Sequence, residues 1–235
     1  MKTMLYLAMT APELSQFHNP AGCAYMACHF SPYGSGLADL PESIPEGAMV
    51  ILNDRIPMLH HDCHLIASQL ASLSCESILL DLQNTQPQKA NALIDAILQA
   101  VRVPVGVSEQ YAAEHSCAVF LPARDADLDP FKTCEAWPDR EIWMDLSPGF
   151  VTYRIDYHGS QRTRECMFMD TPIHPDSGLL CHYSSMMTEA EAMFSLYRTW
   201  EDIAGILEKG KKMGVTRGIG LFREWQSFFP ESGNK

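Results

Sequence analysis

The stretch MVILND, residues 49–54, decides how this chain is read. Four apolar residues follow one another, and the run then breaks into Asn53, Asp54 and Arg55. A strand with water on one face alternates apolar and polar residues. A strand apolar at both alternate positions is covered on both faces, as in a parallel sheet flanked by helices. Beyond the break, Leu59, Cys63, Ile66, Leu70 and Leu73 recur at spacings of four and three, which predicts a helix with one apolar stripe. Strand, polar break and helix together make the repeating unit of α/β folds.

The same pattern recurs along the chain. Apolar runs ending in polar residues stand at 23–30 (CAYMACHF), 77–83 (SILLDLQ), 103–109 (VPVGVSE), 117–122 (CAVFLP), 141–146 (EIWMDL), 179–185 (LLCHYSS) and 218–224 (GIGLFRE). With 49–54 they make eight candidate strands, the number a (β/α)8 barrel requires. A second helix is predicted over 88–101, and the longest over 188–214, where Thr188 and Glu191 match a capping box and Gly214 offers a stop. Other connections are poorer. Residues 31–48 are rich in Pro and Gly and read as a loop, and 110–116 hold at most two helical turns. Residues 150–170 read as a β-hairpin turning at His158-Gly159. The expected fold is α/β, a degenerate or trimmed (β/α)8 TIM-like barrel with a β-hairpin insertion near 150–170. An open parallel sheet with one antiparallel edge is the alternative. A single domain is expected over 1–225, with a tail at 226–235.

Composition narrows the partners. Of 235 residues 46% are hydrophobic and 20% charged, enough for a substantial core, and the formal net charge is -12. Nucleic acid and anionic membrane surfaces are therefore poor partners. The eight cysteines include no C-x-x-C pair, so a zinc ribbon or disulfide framework is not indicated, and a reducing, cytoplasmic setting is expected. No dinucleotide or P-loop glycine pattern occurs, nor a G-x-S-x-G elbow, and no cofactor is implied.

In a parallel barrel the carboxyl ends of the strands share one rim, where ligand sites belong. That rim would carry Tyr25 and His29 after the first candidate strand, and Asn53, Asp54 and Arg55 after the second. Asp81, Gln83 and Asn84 follow the third, Glu109 and Tyr111 the fourth. Asp145 ends the sixth, where it could equally point outward into the helix layer. His182 and Tyr183 mark the seventh, Glu224 and Trp225 the eighth. Aromatics mixed with amides and carboxylates suit a small polar ligand such as a saccharide, whose rings stack while its hydroxyls are bonded. Asp54, Asp81, Glu109 and Glu224 are the candidate catalytic carboxylates, since glycoside hydrolysis uses a pair flanking the scissile bond. Tyr25, His29, Asn53, Arg55, Gln83, Tyr111, His182, Tyr183 and Trp225 are the candidate ligand contacts. No motif fixes the reaction.

ESILLDLQNT (76–85) resembles the strand motif D-x-x-D-x-D-x-E of the family 18 glycoside hydrolases, the chitinase-like barrels. Glu76 takes the first acidic place, Leu79 the second, Asp81 the third, and Gln83 that of the catalytic acid. GIGLFREW (218–225) is similar to the last barrel strand of that family, which ends near a tryptophan. The resemblance implies a barrel and a saccharide ligand. Gln83 cannot donate a proton as a carboxylic acid does, and Leu79 removes a carboxylate. The resemblance therefore implies a binding protein or one that works through other residues.

Two other readings remain. HHDCH (60–64) suggests a metal-dependent hydrolase using His60, His64 and Asp54. On a helix, however, only His60 and His64 share a flank, which makes a two-histidine clip and no metal site. A non-catalytic interaction module would use the acidic surface and the hairpin. Within residues 50–66, Asp54 ranks ahead of all three histidines.

Overall fold

The computed structural model describes residues 4–16, 22–38, 40–165 and 171–225. Its strands in chain order begin with β1 (Met4–Met9), β2 (Cys23–Phe30), the two-residue β3 (Leu37–Ala38) and β4 (Met49–Asn53). Then come β5 (Ser77–Asp81), β6 (Val105–Ser108), β7 (Ala118–Leu121) and β8 (Ile142–Asp145). A second group follows: β9 (Val151–Asp156), β10 (Gly159–Thr163), β11 (Ile173–Asp176), β12 (Cys181–Met187) and β13 (Glu191–Tyr197). The last strand is β14 (Val215–Leu221).

Eight of these form a closed parallel barrel in the order β1-β2-β4-β5-β6-β7-β8-β14, sealed where β1 pairs with both β2 and β14. Closure excludes the open-sheet alternative. Side-chain alternation sorts the strand residues into two layers. Met49 and Ile51 point inside with Leu79, Phe120, Trp143 and Ile219. Val50, Leu52, Ile78 and Leu80 point out against the helices. That is why MVIL is apolar at every position. Trp143 fills the lower interior because Gly106 faces it: a Cβ there would lie 2.3 Å from the indole. The amino-terminal end is plugged by Arg217, whose guanidinium lies 4.6 Å over the Trp143 ring and 3.0 Å from Glu141.

Trimming falls on the helices. After the short α1 (Ala11–Gln16), the substantial ones are α2 (Cys63–Ala71), α3 (Pro87–Ala100) and, after β13, Trp200–Gly210. The β2–β4 connection is the expected loop with β3 attached.

Three expectations are corrected. The first barrel strand is β1, whose run LYLAM reads in sequence only as a short terminal patch. Residues 179–185 are not the seventh barrel strand, a place taken by β8. They overlap β12, which lies in a separate five-stranded antiparallel sheet, β10-β9-β13-β12-β11, inserted between β8 and the helix at 200–210. The expected hairpin is β9–β10, with Tyr157 and His158 at its turn, and it is part of this larger sheet.

The predicted helix over 188–214 is the third correction. Thr188 caps a hairpin turn, its Oγ1 accepting the Glu191 N–H at 3.1 Å, and EAMFSLY continues as β13. Met193, Ser195 and Tyr197 are buried there at the period of two that a strand imposes. The true capping box is Thr199 with Asp202, while Gly214, at φ 86, does mark the stop before β14. Residues 226–235 and the end of the 150–170 segment lie outside the described residues.

The inserted sheet is tied to the barrel loop after β7. Arg162 donates to Asp125 at 2.6 Å and to both oxygens of Asp127 at 2.8 Å, and buried Arg198 donates to the carbonyls of Arg124, Asp125 and Leu128. The seven described cysteines are free thiols, and no helix among the described residues is long and apolar enough to cross a membrane.

Candidate ligand-binding site

A cavity of about 420 Å³ opens at the carboxyl ends of the barrel strands. Ala8, Ile51, Leu79, Phe120 and Ile219 form its apolar floor; His29, Asn53, Arg55, Asp81, Gln83, Asn84 and Asp145 are the polar groups around it. The alternation that sends Ile51, Leu79 and Trp143 inward also brings in Asn53, Asp81 and Asp145, each two residues further along its strand. Asn53 and Asp81 are register partners, as are Asp145 and Ile219.

Asp54 lies one residue past β4 and does a different job. It is 2% exposed, and its two oxygens accept the backbone N–H groups of Gln83 (3.0 Å), Asn84 (2.6 Å) and Thr85 (2.6 Å), together with the Thr85 hydroxyl (2.9 Å). Burial alone would raise its carboxyl, but these donors outweigh burial and hold it below the ordinary aspartate range. Asp54 is thus a clamp that fixes residues 83–85 as a ledge on the cavity rim. Tyr111 supports the same ledge from outside, its hydroxyl donating to the Thr85 carbonyl at 2.6 Å.

Asp145 is the opposite case. Burial, then the negative charges of Glu224 and Asp81, push its carboxyl up to about 7, against the pull of the Ala123 and Leu146 N–H groups. A carboxyl so raised can keep a proton close to neutral pH while lining the cavity. Asp81 is also raised, by burial first, although the Gln83 side-chain amide donates to it at 2.7 Å. Glu224, on the short helix Phe222–Trp225 after β14, is solvent-exposed, yet the protein atoms packed around it raise its carboxyl against the hydrogen bond it takes from Ser147. His29 lines the cavity and keeps Nδ1 buried without a hydrogen-bond partner.

Of the residues singled out in sequence, the structure brings His29, Asn53, Asp54, Arg55, Asp81 and Gln83 to one cavity, and Glu224 within electrostatic reach of Asp145. The others stand apart from the cavity wall. Tyr25 is buried within β2, and Glu109 opens the four-residue helix after β6. Tyr111 lies beneath the ledge. His182 and Tyr183 belong to the inserted sheet, where His182 Nδ1 is 2.7 Å from Asp202. Trp225 is 1% exposed, donates to the Leu146 carbonyl at 3.0 Å and packs edge-on against Trp200. The sequence reading left out Thr10, Met26 and Phe120, which also line the cavity, and did not choose Asp145. Overlooking β1 hid Thr10; the Trp143–Asp145 spacing is the signal that could have placed Asp145.

HHDCH is not wholly helical. Asp62 is the N-cap of α2, accepting the N–H groups of His64 (2.9 Å) and Leu65 (3.2 Å), so His60 and His61 precede the helix. His61 is held by the Ser31 carbonyl and the Leu59 N–H. Among the described residues no three His, Cys, Asp or Glu side chains gather as metal ligands; His60 and His64 are exposed, while Asp54 is fully engaged by its ledge.

A closed eight-stranded parallel barrel with its cavity at the carboxyl ends and an antiparallel sheet after the seventh strand defines a TIM-like barrel. Solved structures bear this out at the level of fold. A GH18 chitinase mutant from Cycas revoluta, in complex with (GlcNAc)4, superposes with a TM-score of 0.61 at 10% identity, over 92% of this chain and 94% of that one. A plant class V chitinase mutant from Cycas revoluta in complex with (GlcNAc)3 gives 0.62 at 11%, with the same coverage. The Bacillus cereus spore cortex-lytic enzyme SleL gives 0.58 at 8%, over 96% of this chain and 73% of that one. No protein-family profile matches the sequence, and no curated protein does either.

Proposed function

We propose that this protein binds a saccharide in the cavity at the carboxyl ends of its barrel strands. The observation that carries the reading is the cavity itself, an apolar floor ringed by amides and carboxylates. A sugar offers such a site an apolar ring face and a belt of hydroxyls, so floor and rim each have a counterpart. Structural neighbours crystallised with N-acetylglucosamine oligomers add support by analogy of fold. Asn53, Asp81 and Gln83 take the hydroxyls, and Asp54 holds the ledge that presents Gln83 and Asn84.

The test is calorimetric titration with β-1,4-linked glucose, N-acetylglucosamine and glucosamine oligomers. At least one series binds, and Asn53→Ala and Asp81→Ala each weaken it by about tenfold, the loss expected for one or two ligand hydrogen bonds. A folded protein that binds none of the three contradicts the proposal.

A second reading, hydrolysis, is favoured by one observation. Asp145 holds a proton near neutral pH beside a cavity, as a general acid must. Gln83, at the place of the catalytic acid in the family resemblance, cannot do so. Release of new reducing ends from an oligomer, abolished by Asp145→Asn while binding persists, would establish it. Binding without any cleavage would leave the protein a lectin-like barrel.

A further inference from the structure

We infer that the saccharide this cavity selects carries free primary amines, as in glucosamine units, in preference to N-acetylated ones. The inference rests on the saccharide reading and concerns the charge of the ligand. Asp145 and Asp81 stand on β8 and β5, three strands apart around the barrel, so one cavity receives carboxylates from two sides of its wall. Glu224 adds a third within electrostatic reach of Asp145. Among the described residues the one Arg or Lys lining the cavity is Arg55, exposed at the mouth, where its charge acts on Asp81. Asp54 is ionised and hydrogen-bonded to its ledge, so it adds negative charge with little accepting capacity left. Asp81 accepts the Gln83 side-chain amide at 2.7 Å and Asp145 the Ala123 and Leu146 N–H groups, and the remaining lone pairs of both carboxyls can accept only donors. A sugar ammonium supplies only donors and one positive charge, whereas an acetamido group brings a carbonyl acceptor and no charge.

The free protein shows what the missing charge does. Asp145 keeps its proton up to about 7 because it is buried and its charged neighbours, Glu224 and Asp81, are of like sign. An ammonium placed among them reverses that balance, and Asp145 ionises as the ligand enters. Binding therefore releases a proton. At pH 6, below that midpoint, most chains carry the proton that an incoming ammonium expels, so binding is accompanied by net release of a fraction of a proton.

The experiment is calorimetric titration at pH 6 with tetramers of glucosamine and of N-acetylglucosamine, each in two buffers of different ionisation enthalpy. The expected result is at least tenfold tighter binding of the glucosamine tetramer, with proton release that the acetylated tetramer does not produce. Asp145→Asn removes the release and cuts the preference below about threefold. Glu224→Gln, a change at an exposed position, keeps the test open if Asp145→Asn fails to fold, and also reduces the preference. Equal or tighter binding of the acetylated tetramer, or glucosamine binding without proton release, overturns the inference and leaves the saccharide reading standing. Binding of neither amino sugar overturns the inference; the glucose series then decides whether the saccharide reading survives.

Discussion

Asp54 and Asp145 both sit at the carboxyl end of a barrel strand, one residue past β4 and at the last residue of β8. One position along the chain separates their roles. Asp54 turns to the 83–85 backbone, gathers three N–H groups and a hydroxyl, and is held ionised. Asp145 shares the inward alternation of Trp143, takes the Ala123 and Leu146 N–H groups but not enough to offset its burial, and has Glu224 and Asp81 for neighbours. Polar residues at strand ends are expected in any barrel, so residue type alone does not mark a site. What separates a scaffold carboxylate from a ligand-facing one is whether its lone pairs are already filled.

The largest effect should come from Asp54. Asp54→Ala leaves three backbone N–H groups without their acceptor and should lower stability by about 3–5 kcal/mol in urea unfolding. Its folded midpoint is depressed, so the stability it contributes is present above the ordinary aspartate range and lost as pH falls through that midpoint. A loss below about 1 kcal/mol would break the contrast.

Asp145→Asn comes next and has the opposite sign. A folded midpoint raised to about 7 means that the native state binds more protons than the unfolded one between the ordinary aspartate range and pH 7, so wild-type stability falls as pH rises through that window. The variant should come close to wild type near pH 4 and exceed it by on the order of 4 kcal/mol at pH 8, as read by thermal and urea unfolding. Destabilisation at pH 8 would mean that the ionised Asp145 is well solvated.

Glu224→Gln sharpens the same point more gently. Removing one like charge should lower the Asp145 midpoint by about half a pH unit, because solvent screens an exposed partner. The smallest effect is expected at the residues that first catch the eye. His60→Ala and His64→Ala remove exposed side chains and should change stability by less than about 0.5 kcal/mol, with no change in saccharide binding.

Much of this architecture is legible in the chain. Fully apolar strands such as MVIL and SILL carry the barrel because both their faces are covered, and the break into Asn53-Asp54 and Asp81 marks the rim. β1 is not, since six residues near a terminus look the same whether or not they close a barrel. The inserted sheet is hidden because EAMFSLYRTW satisfies a helical pattern nearly as well as a strand, and only pairing with β12 and β9 decides between them. Within residues 50–66 Asp54 ranks ahead of the three histidines in sequence, being acidic, beside an amide and at a strand end. Its saturation depends on a loop thirty residues away, which no local pattern reveals. The protonation of Asp145 likewise depends on Glu224, some eighty residues on.

The most direct test is a carbon-13 NMR titration of the aspartate carboxyls in the free protein, assigned with Asp54→Asn and Asp145→Asn. One aspartate should titrate at about 7 and disappear in Asp145→Asn, and the Asp54 signal should stay ionised down through the ordinary aspartate range. An Asp145 midpoint near 4, indistinguishable from that of a solvated aspartate, would contradict it.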